Sequence, residues 1–316
     1  MTLAILYLAL GLVLLYYGAE ALVRGSSSLA LRLGLSPLVI GLTVVAFGTS
    51  SPELVVSLKA GLTGQGNISV GNVVGSNICN LGLILGLCAL VTPVATTSQI
   101  VRMDIPIMIA VTAFAIFLLS NGTLTRTEGT LLATLLLAYV IFSIRLARRQ
   151  PADALGAEFG EAVKVSKRGL AVDLLMVAGG LVLLIFGARF LVDGAVIIAR
   201  AFGWSEALIG LTVIAIGTSL PELATSLVAA VKKEADIALG NIVGSNIFNL
   251  LGILGITAMV TPLAESGISL IDYAVMAVFA LVLWPMAYHQ KRITRLEGAI
   301  LLAGYATYVS WLVLST

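Results

Sequence analysis

Gly48-Thr49-Ser50-Ser51-Pro52-Glu53 is the stretch that decides how this chain is read. It places a carboxylate, hydroxyls, a glycine and a helix-breaking proline inside an otherwise apolar run. Pro52 has no N–H, so the Gly48 carbonyl loses its helical partner and the ring crowds that turn. Gly48 adds backbone freedom. The helix is expected to kink or unwind here. If it persists, Glu53 shares a face with Thr49 and Ser50, four and three residues before it. The pattern returns as Gly217-Thr218-Ser219-Leu220-Pro221-Glu222, 169 residues further on. An ionisable residue at membrane depth is by default a functional-site hypothesis. Two at matching places make a stronger one.

Membrane depth follows from composition. The chain has 316 residues, of which 59% are hydrophobic and 11% charged, against about 25% charged in soluble domains. A soluble globular protein is excluded. Apolar runs of about 20 residues, enough to cross a hydrocarbon core of about 30 Å, recur along the chain. No short segments alternate with period two, which argues against a β-barrel. The expected fold is an all-α membrane protein. Its ten spans fall near 3–23, 36–62, 68–92, 103–120, 125–147, 171–192, 205–231, 237–261, 269–288 and 294–314. The first run has no basic n-region or cleavage motif and reads as a retained span. Cys79 and Cys88 share one apolar span and read as small buried hydrophobes. No long soluble segment leaves room for a nucleotide-binding module.

Residues 11–93 align without a gap to 180–262. Gly11-Leu12-Val13-Leu14-Leu15 returns as Gly180-Leu181-Val182-Leu183-Leu184, and Gly75-Ser76-Asn77-Ile78 as Gly244-Ser245-Asn246-Ile247. Duplication is the account. Residues 1–147 form a first five-span repeat, 148–169 a polar linker and 170–316 the second repeat. Five spans is an odd number, so the second copy enters the membrane from the opposite side. The halves are expected to be inverted repeats. In secondary transporters such halves place the substrate near the midplane on interrupted helices, here spans 2 and 7. If the linker is cytoplasmic, fourteen basic residues lie on the inside and four (Lys59, Arg126, Arg189, Arg200) on the outside. This positive-inside bias puts both termini outside the cytoplasm.

The motif gathers oxygens: the Glu53 carboxylate, the Thr49 and Ser50 hydroxyls, and carbonyls freed from about Ala46 to Gly48. Span 7 repeats them with Glu222, Thr218, Ser219 and carbonyls near Ala215. Spans 3 and 8 supply the other wall, where Ser76 and Asn80 face together four residues apart, as do Ser245 and Asn249. Gly71 with Gly75, and Gly240 with Gly244, form small-xxx-small patterns that let helices approach. An all-oxygen site with carboxylates suits a hard cation such as calcium, or sodium of nearly the same size. No histidine or cysteine cluster points to softer metals. Taken singly, a proline kink, a span serine or a span asparagine reads as packing. The matched pair reads as a site. Elsewhere, Glu20, Asp193 and Arg189 read as interfacial, Asp104 and Asp272 as helix N-terminal acids, His289 as a solvated edge residue, and Trp204, Trp284 and Trp311 as interfacial anchors.

At these residues the sequence resembles the cation/calcium exchanger superfamily, whose repeats carry Gly-Thr-Ser-x-Pro-Glu followed by Gly-Asn-x-x-Gly-Ser-Asn. It is most similar to the prokaryotic sodium/calcium exchanger branch, related to the potassium-dependent exchangers. The proton/calcium branch has Gly-Asn-x-x-Glu in place of the first motif. The resemblance implies that Glu53 and Glu222 are central carboxylates shared by calcium and sodium. It adds hydroxyl or carbonyl oxygens of Thr49, Ser50, Thr218 and Ser219, and backbone carbonyls of Ala46 and Ala215. Ser76 and Ser245 would serve sodium sites, and Asn80 would supply an amide. Asn249 departs from the family, where many members have Asp, and bears on sodium stoichiometry and potassium dependence.

The expected function is secondary antiport of sodium against calcium by alternating access, in the direction of calcium export from a plasma (inner) membrane. Spans 1 and 6 would slide against the rest, with Gly11, Gly18, Gly180 and Gly187 leaving smooth surfaces. No cofactor, nucleic acid or catalytic residue is expected. The partners are calcium and sodium ions, with potassium as a further candidate, and the lipid bilayer; the working unit is a monomer. A proton-coupled calcium antiporter and a cation channel are the alternatives.

Overall fold

The computed structural model describes residues 2–148, 169–203, 215–264 and 268–315. Most of the linker, the beginning of the expected seventh span and Trp204 lie outside the described residues. The chain runs through α1 (Thr2–Leu33), α2 (Pro37–Thr49), α3 (Ser51–Leu62), α4 (Gly66–Val91), α5 (Ile100–Leu119) and α6 (Arg126–Ala147). It continues with α7 (Leu170–Ala201), α8 (Ala215–Thr218), α9 (Leu220–Val231), α10 (Ala235–Val260), α11 (Leu270–His289) and α12 (Arg295–Ser315). Eight of these are long and apolar enough to cross a membrane, and α2 with α3 forms a further span bent by 47°. The chain is a multi-pass integral membrane protein.

Sequence chemistry explains the boundaries. Pro37 and Pro52 sit in first turns, where a missing N–H costs nothing. Thr125 with Glu128, and Ser269 with Asp272, form reciprocal capping boxes on α6 and α11. Thr294 with Glu297 does the same for α12. Asp104 differs from its expected place at a helix start. It lies one turn inside, buried in a π-helical turn over Ile100–Asp104, and accepts from the Tyr139 hydroxyl at 3.2 Å and Gln99 at 3.4 Å. Burial forced this carboxylate to find partners within the bundle rather than a helix end.

Short strands at the helix ends cross-tie the halves. β1 (Val94–Ala95) pairs with β4 (Arg292–Ile293), and β2 (Thr123–Leu124) with β3 (Leu263–Ala264), both antiparallel. The centre of the bundle is α4 and α10, which lie against the broken helices. A Cβ on Gly240 would stand 2.8 Å from the Leu38 carbonyl oxygen, and one on Gly244 2.6 Å from that of Leu42. In α10, then, the small-xxx-small pattern serves a backbone-to-backbone contact with α2. Cys79 and Cys88 are buried free thiols, as expected. Trp284 donates to the Val101 carbonyl at 3.0 Å, and Trp311 stacks on Tyr308.

The glycines of the long helices depart from their expected role. Gly11 and Gly18 of α1 face α7, not the bundle behind it. A Cβ on Gly11 would reach to 2.8 Å of the Leu191 nitrogen, and one on Gly180 to 2.7 Å of the Leu22 nitrogen. Gly25 and Gly194 extend the same seam. The spacing along each helix is seven residues (11, 18, 25 and 180, 187, 194), the repeat of an antiparallel coil in which small residues bring the backbones together.

Candidate cation site

Both motif helices break where proline predicts. Ser50 (φ −83°, ψ 7°) and Ser219 (φ −88°, ψ 6°) leave helical geometry, and a new helix starts at the next residue. Glu53 and Glu222 therefore occupy the first turns of α3 and α9, where the helix dipole favours a negative charge. Glu53, Glu222, Thr49, Ser50, Ser219, Asn80 and Asn249 are all at most 2% exposed, and Ser76 and Ser245 are buried with them. Thr218 is half-buried.

The two motifs meet, and they cross. Ser50 of the first motif donates to Oε1 of Glu222 at 2.7 Å. Ser219 of the second donates to Oε1 of Glu53 at 3.2 Å. Each carboxylate is thus held by the hydroxyl of the other motif. Ser50 also lies 3.0 Å from the Ser245 hydroxyl, which brings α10 into the cluster. Thr49 donates to Oδ1 of Asn241 at 3.1 Å.

What is left over defines the chemistry. Oε2 of Glu53, Oε2 of Glu222, Oδ1 of Asn80 and Oδ1 of Asn249 are buried acceptors with no hydrogen-bond partner, and Oδ1 of Asn77 is another. The glutamates and the two helix-register asparagines come in pairs related by the 169-residue offset. An acceptor buried without a donor costs about 1–3 kcal/mol, and more when charged. The basic groups that are ion-paired within the bundle lie elsewhere: Lys232 and Arg24 meet Glu20, and Arg32 meets Asp173. The matching complement to such buried, unpartnered oxygens is a cation that prefers oxygen ligands. No group of three or more His, Cys, Asp or Glu side chains suited to a metal exists among the described residues.

One expectation is modified. The Ala46 carbonyl is not set free by the break, since it accepts from the Ser50 N–H at 3.0 Å and the Thr49 hydroxyl at 3.4 Å. On the second broken helix the Ser219 N–H turns instead to the Ile216 carbonyl at 3.1 Å, and Ala215 opens α8. Glu20, read as interfacial, has partners that no local sequence pattern names. It accepts from Lys232, at the end of α9, at 2.8 Å and pairs with Arg24 at 2.6 Å.

Other features escaped the sequence reading. Asn80 opens a π-helical turn over Asn80–Ile84, and Asn249 lies in another over Phe248–Ile253. Such widened turns cluster at functional sites. Asn72 and Asn241 also belong to the cluster. Their signal was available, because they precede Ser76 and Ser245 by four residues and extend the same helical stripe.

Two broken helices that present a crossed pair of buried carboxylates, inside a polytopic helical bundle, define an integral membrane transporter. A family model described as sodium/calcium exchanger protein matches residues 3–145 and 172–314. The chain belongs to that family, whose members are transporters and not enzymes. It is 33% identical to the sodium/calcium exchanger MaX1 of Methanosarcina acetivorans over 98% of each chain. It is 41% identical to the inner membrane protein YrbG of Escherichia coli (strain K12), over 99% of this chain and 97% of that one. A solved structure of the sodium-calcium exchanger NCX_Mj superposes with a TM-score of 0.85 at 33% identity, covering 98% of this chain and 99% of that one.

Proposed function

We propose that this chain exchanges sodium for calcium by alternating access, at one central site built from both halves. The observation that carries the reading is the reciprocal crossing of Ser50 onto Glu222 and Ser219 onto Glu53, with the second oxygen of each carboxylate left without a donor. The ligands are Glu53, Glu222, Thr49, Ser50, Thr218, Ser219, Ser76, Ser245, Asn80 and Asn249, with a main-chain oxygen at Ala215. The two glutamates balance one Ca2+, and sodium ions compete for the same oxygens. Because the same atoms serve both ions, one leaves before the other binds.

Ten spans in two inverted repeats, 1–147 and 170–316, frame this site, with the 148–169 linker on the cytoplasmic face and both termini opposite. The repeat offset, the odd span count and the excess of basic residues toward one face support that arrangement. The chain works as a monomer in the plasma membrane, and calcium leaves the cell as sodium enters. Family membership and the sodium-calcium exchangers among its relatives support the choice of ions.

The test is calcium flux in reconstituted vesicles with sodium, potassium and proton gradients imposed separately. Flux that follows the sodium gradient is expected. Flux driven by a pH gradient with no sodium present replaces sodium with protons as the coupling ion. Calcium movement uncoupled from any counter-ion makes the chain a channel and overturns antiport.

A further inference from the structure

Each central helix carries a polar column on one face: Asn72, Ser76 and Asn80 on α4, and Asn241, Ser245 and Asn249 on α10. The lower two members of each column belong to the site proposed above. The first member points its amide at the neighbouring half-helix. Asn72 Nδ2 donates to the Glu53 carbonyl at 3.2 Å and to Ser57 Oγ at 2.9 Å. Asn241 Nδ2 donates to the Glu222 carbonyl at 3.4 Å and to Ser226 Oγ at 2.9 Å. The same pair of contacts appears in both halves. In each, the amide grips the main chain of the glutamate itself and the hydroxyl one helical turn beyond it.

That geometry does more than join two helices. α3 and α4 are already connected through residues 63–65, and α9 and α10 through residues 232–234. Two contacts one turn apart along α3 or α9 fix both its depth and its rotation about its own axis. The carboxylate swings from that axis, so its position depends on them. Asn241 has a third contact, because its Oδ1 accepts from Thr49 of the opposite motif at 3.1 Å. The Glu222 main chain is therefore linked through Asn241 to Thr49, while its carboxylate is linked directly to Ser50.

We propose that Asn72 and Asn241 are positioning residues for the cation site, each fixing the half-helix that carries one glutamate. Asn241 additionally registers the second half-helix against Thr49 of the first motif. Neither amide touches the ion. The inference rests on the exchange reading above.

The test is calorimetric titration of the purified chain with CaCl2, alongside the melting temperature without calcium. The variants are Asn72→Ala, Asn241→Ala, Ser57→Ala, Ser226→Ala and Ser226→Thr. Loss of a buried hydrogen bond that holds a ligand should raise the calcium Kd about tenfold in the asparagine variants and about threefold in the alanine variants of the serines. Ser226→Thr keeps the hydroxyl and should bind like the unmodified chain. A residue that only glues helices would lower the melting temperature and leave the Kd alone. Folded alanine variants with Kd within about twofold of the unmodified chain overturn the proposal. If the asparagine variants do not fold, the contrast between Ser226→Ala and Ser226→Thr decides in the same way, and equal Kd values there overturn it. An unmodified chain that binds no calcium instead overturns the exchange reading itself, and this inference with it.

Discussion

The α1–α7 pair and the α4–α10 pair are built on opposite terms. In their most apolar stretches, 28% of the residues of α1 and of α7 are buried, against 78% in α4 and 89% in α10. The outer pair turns large side chains such as Leu6, Tyr17, Leu175 and Phe186 outward, where lipid is the apolar environment. Its inner seam is glycine against main chain, closed at one end by Asp173, which accepts from Ser28 at 2.8 Å and pairs with Arg32. The inner pair is lined with amides and hydroxyls facing two carboxylates. One region is held by close packing of small residues, with an ion pair at one end. The other buries polar atoms whose unmatched oxygens only a cation or a proton satisfies. The contrast separates a polar, deeply buried centre from an apolar, close-packed pair beside it.

The sharpest way to break this contrast is at the carboxylates. Glu53→Gln or Glu222→Gln should reduce calcium transport by on the order of a hundredfold or more, since each removes a buried charge that the ion pairs with. The protein should remain extractable and monodisperse on a sizing column. Undiminished vesicle flux in either variant would show that the carboxylate is not shared by the transported ions.

The seam should respond in the opposite sense. A Cβ on Gly18 would stand 2.9 Å from the Leu184 nitrogen, a main-chain atom that cannot step aside. Gly18→Val should therefore cost about 1–3 kcal/mol of stability, read as a lower melting temperature, while the calcium Kd stays put. A seam variant that melts normally but binds calcium weakly would erase the distinction between the two regions.

Asn249→Asp should have an intermediate effect. It adds an acid where the described site has an amide with an unpartnered oxygen. The sodium half-saturation should shift by about tenfold, and Cys79→Ala should shift it far less. An unchanged sodium profile would remove Asn249 from the ligand set.

The smallest expected effect lies between the two regions. Glu20 of α1 reaches Lys232 at the end of the half-helix bearing Glu222. The positions 169 residues away, Arg189 for Glu20 and Thr63 for Lys232, cannot form an ion pair. The tie is one-sided, so Glu20→Gln should change calcium half-saturation on one face of the membrane relative to the other. A partly exposed pair supports a shift of about two- to fivefold. Glu20→Lys combined with Lys232→Glu should restore the balance. Equal effects on both faces would mean that the pair carries only stability.

Much of the site was legible because its chemistry is local. A proline two residues into a new helix writes the break into the sequence, and the repeat offset places its mate. Spacing of four residues set Ser76 above Asn80. What was not legible depends on how helices meet. The crossing of Ser50 to Glu222 follows from the depth at which α2 and α9 pass, which no one-helix pattern encodes. The Ala46 carbonyl was expected to be free, but the last turn before the break still donates to it, through the Ser50 N–H and the Thr49 hydroxyl. The π-helical turns at Asn80 and Asn249 left no mark in the sequence, because the composition of those turns is ordinary. The glycine seam was visible as glycines, but its partner was not, because seven-residue spacing fixes a face and not what covers it.

The central claim is that both halves build one site. Calorimetry on the purified chain measures it directly, by the number of calcium ions bound to the unmodified protein and to Glu53→Gln and Glu222→Gln separately. A shared site predicts one ion per chain and loss of binding in each single variant. Two ions per chain, or one ion retained at unmodified affinity in either variant, would contradict it.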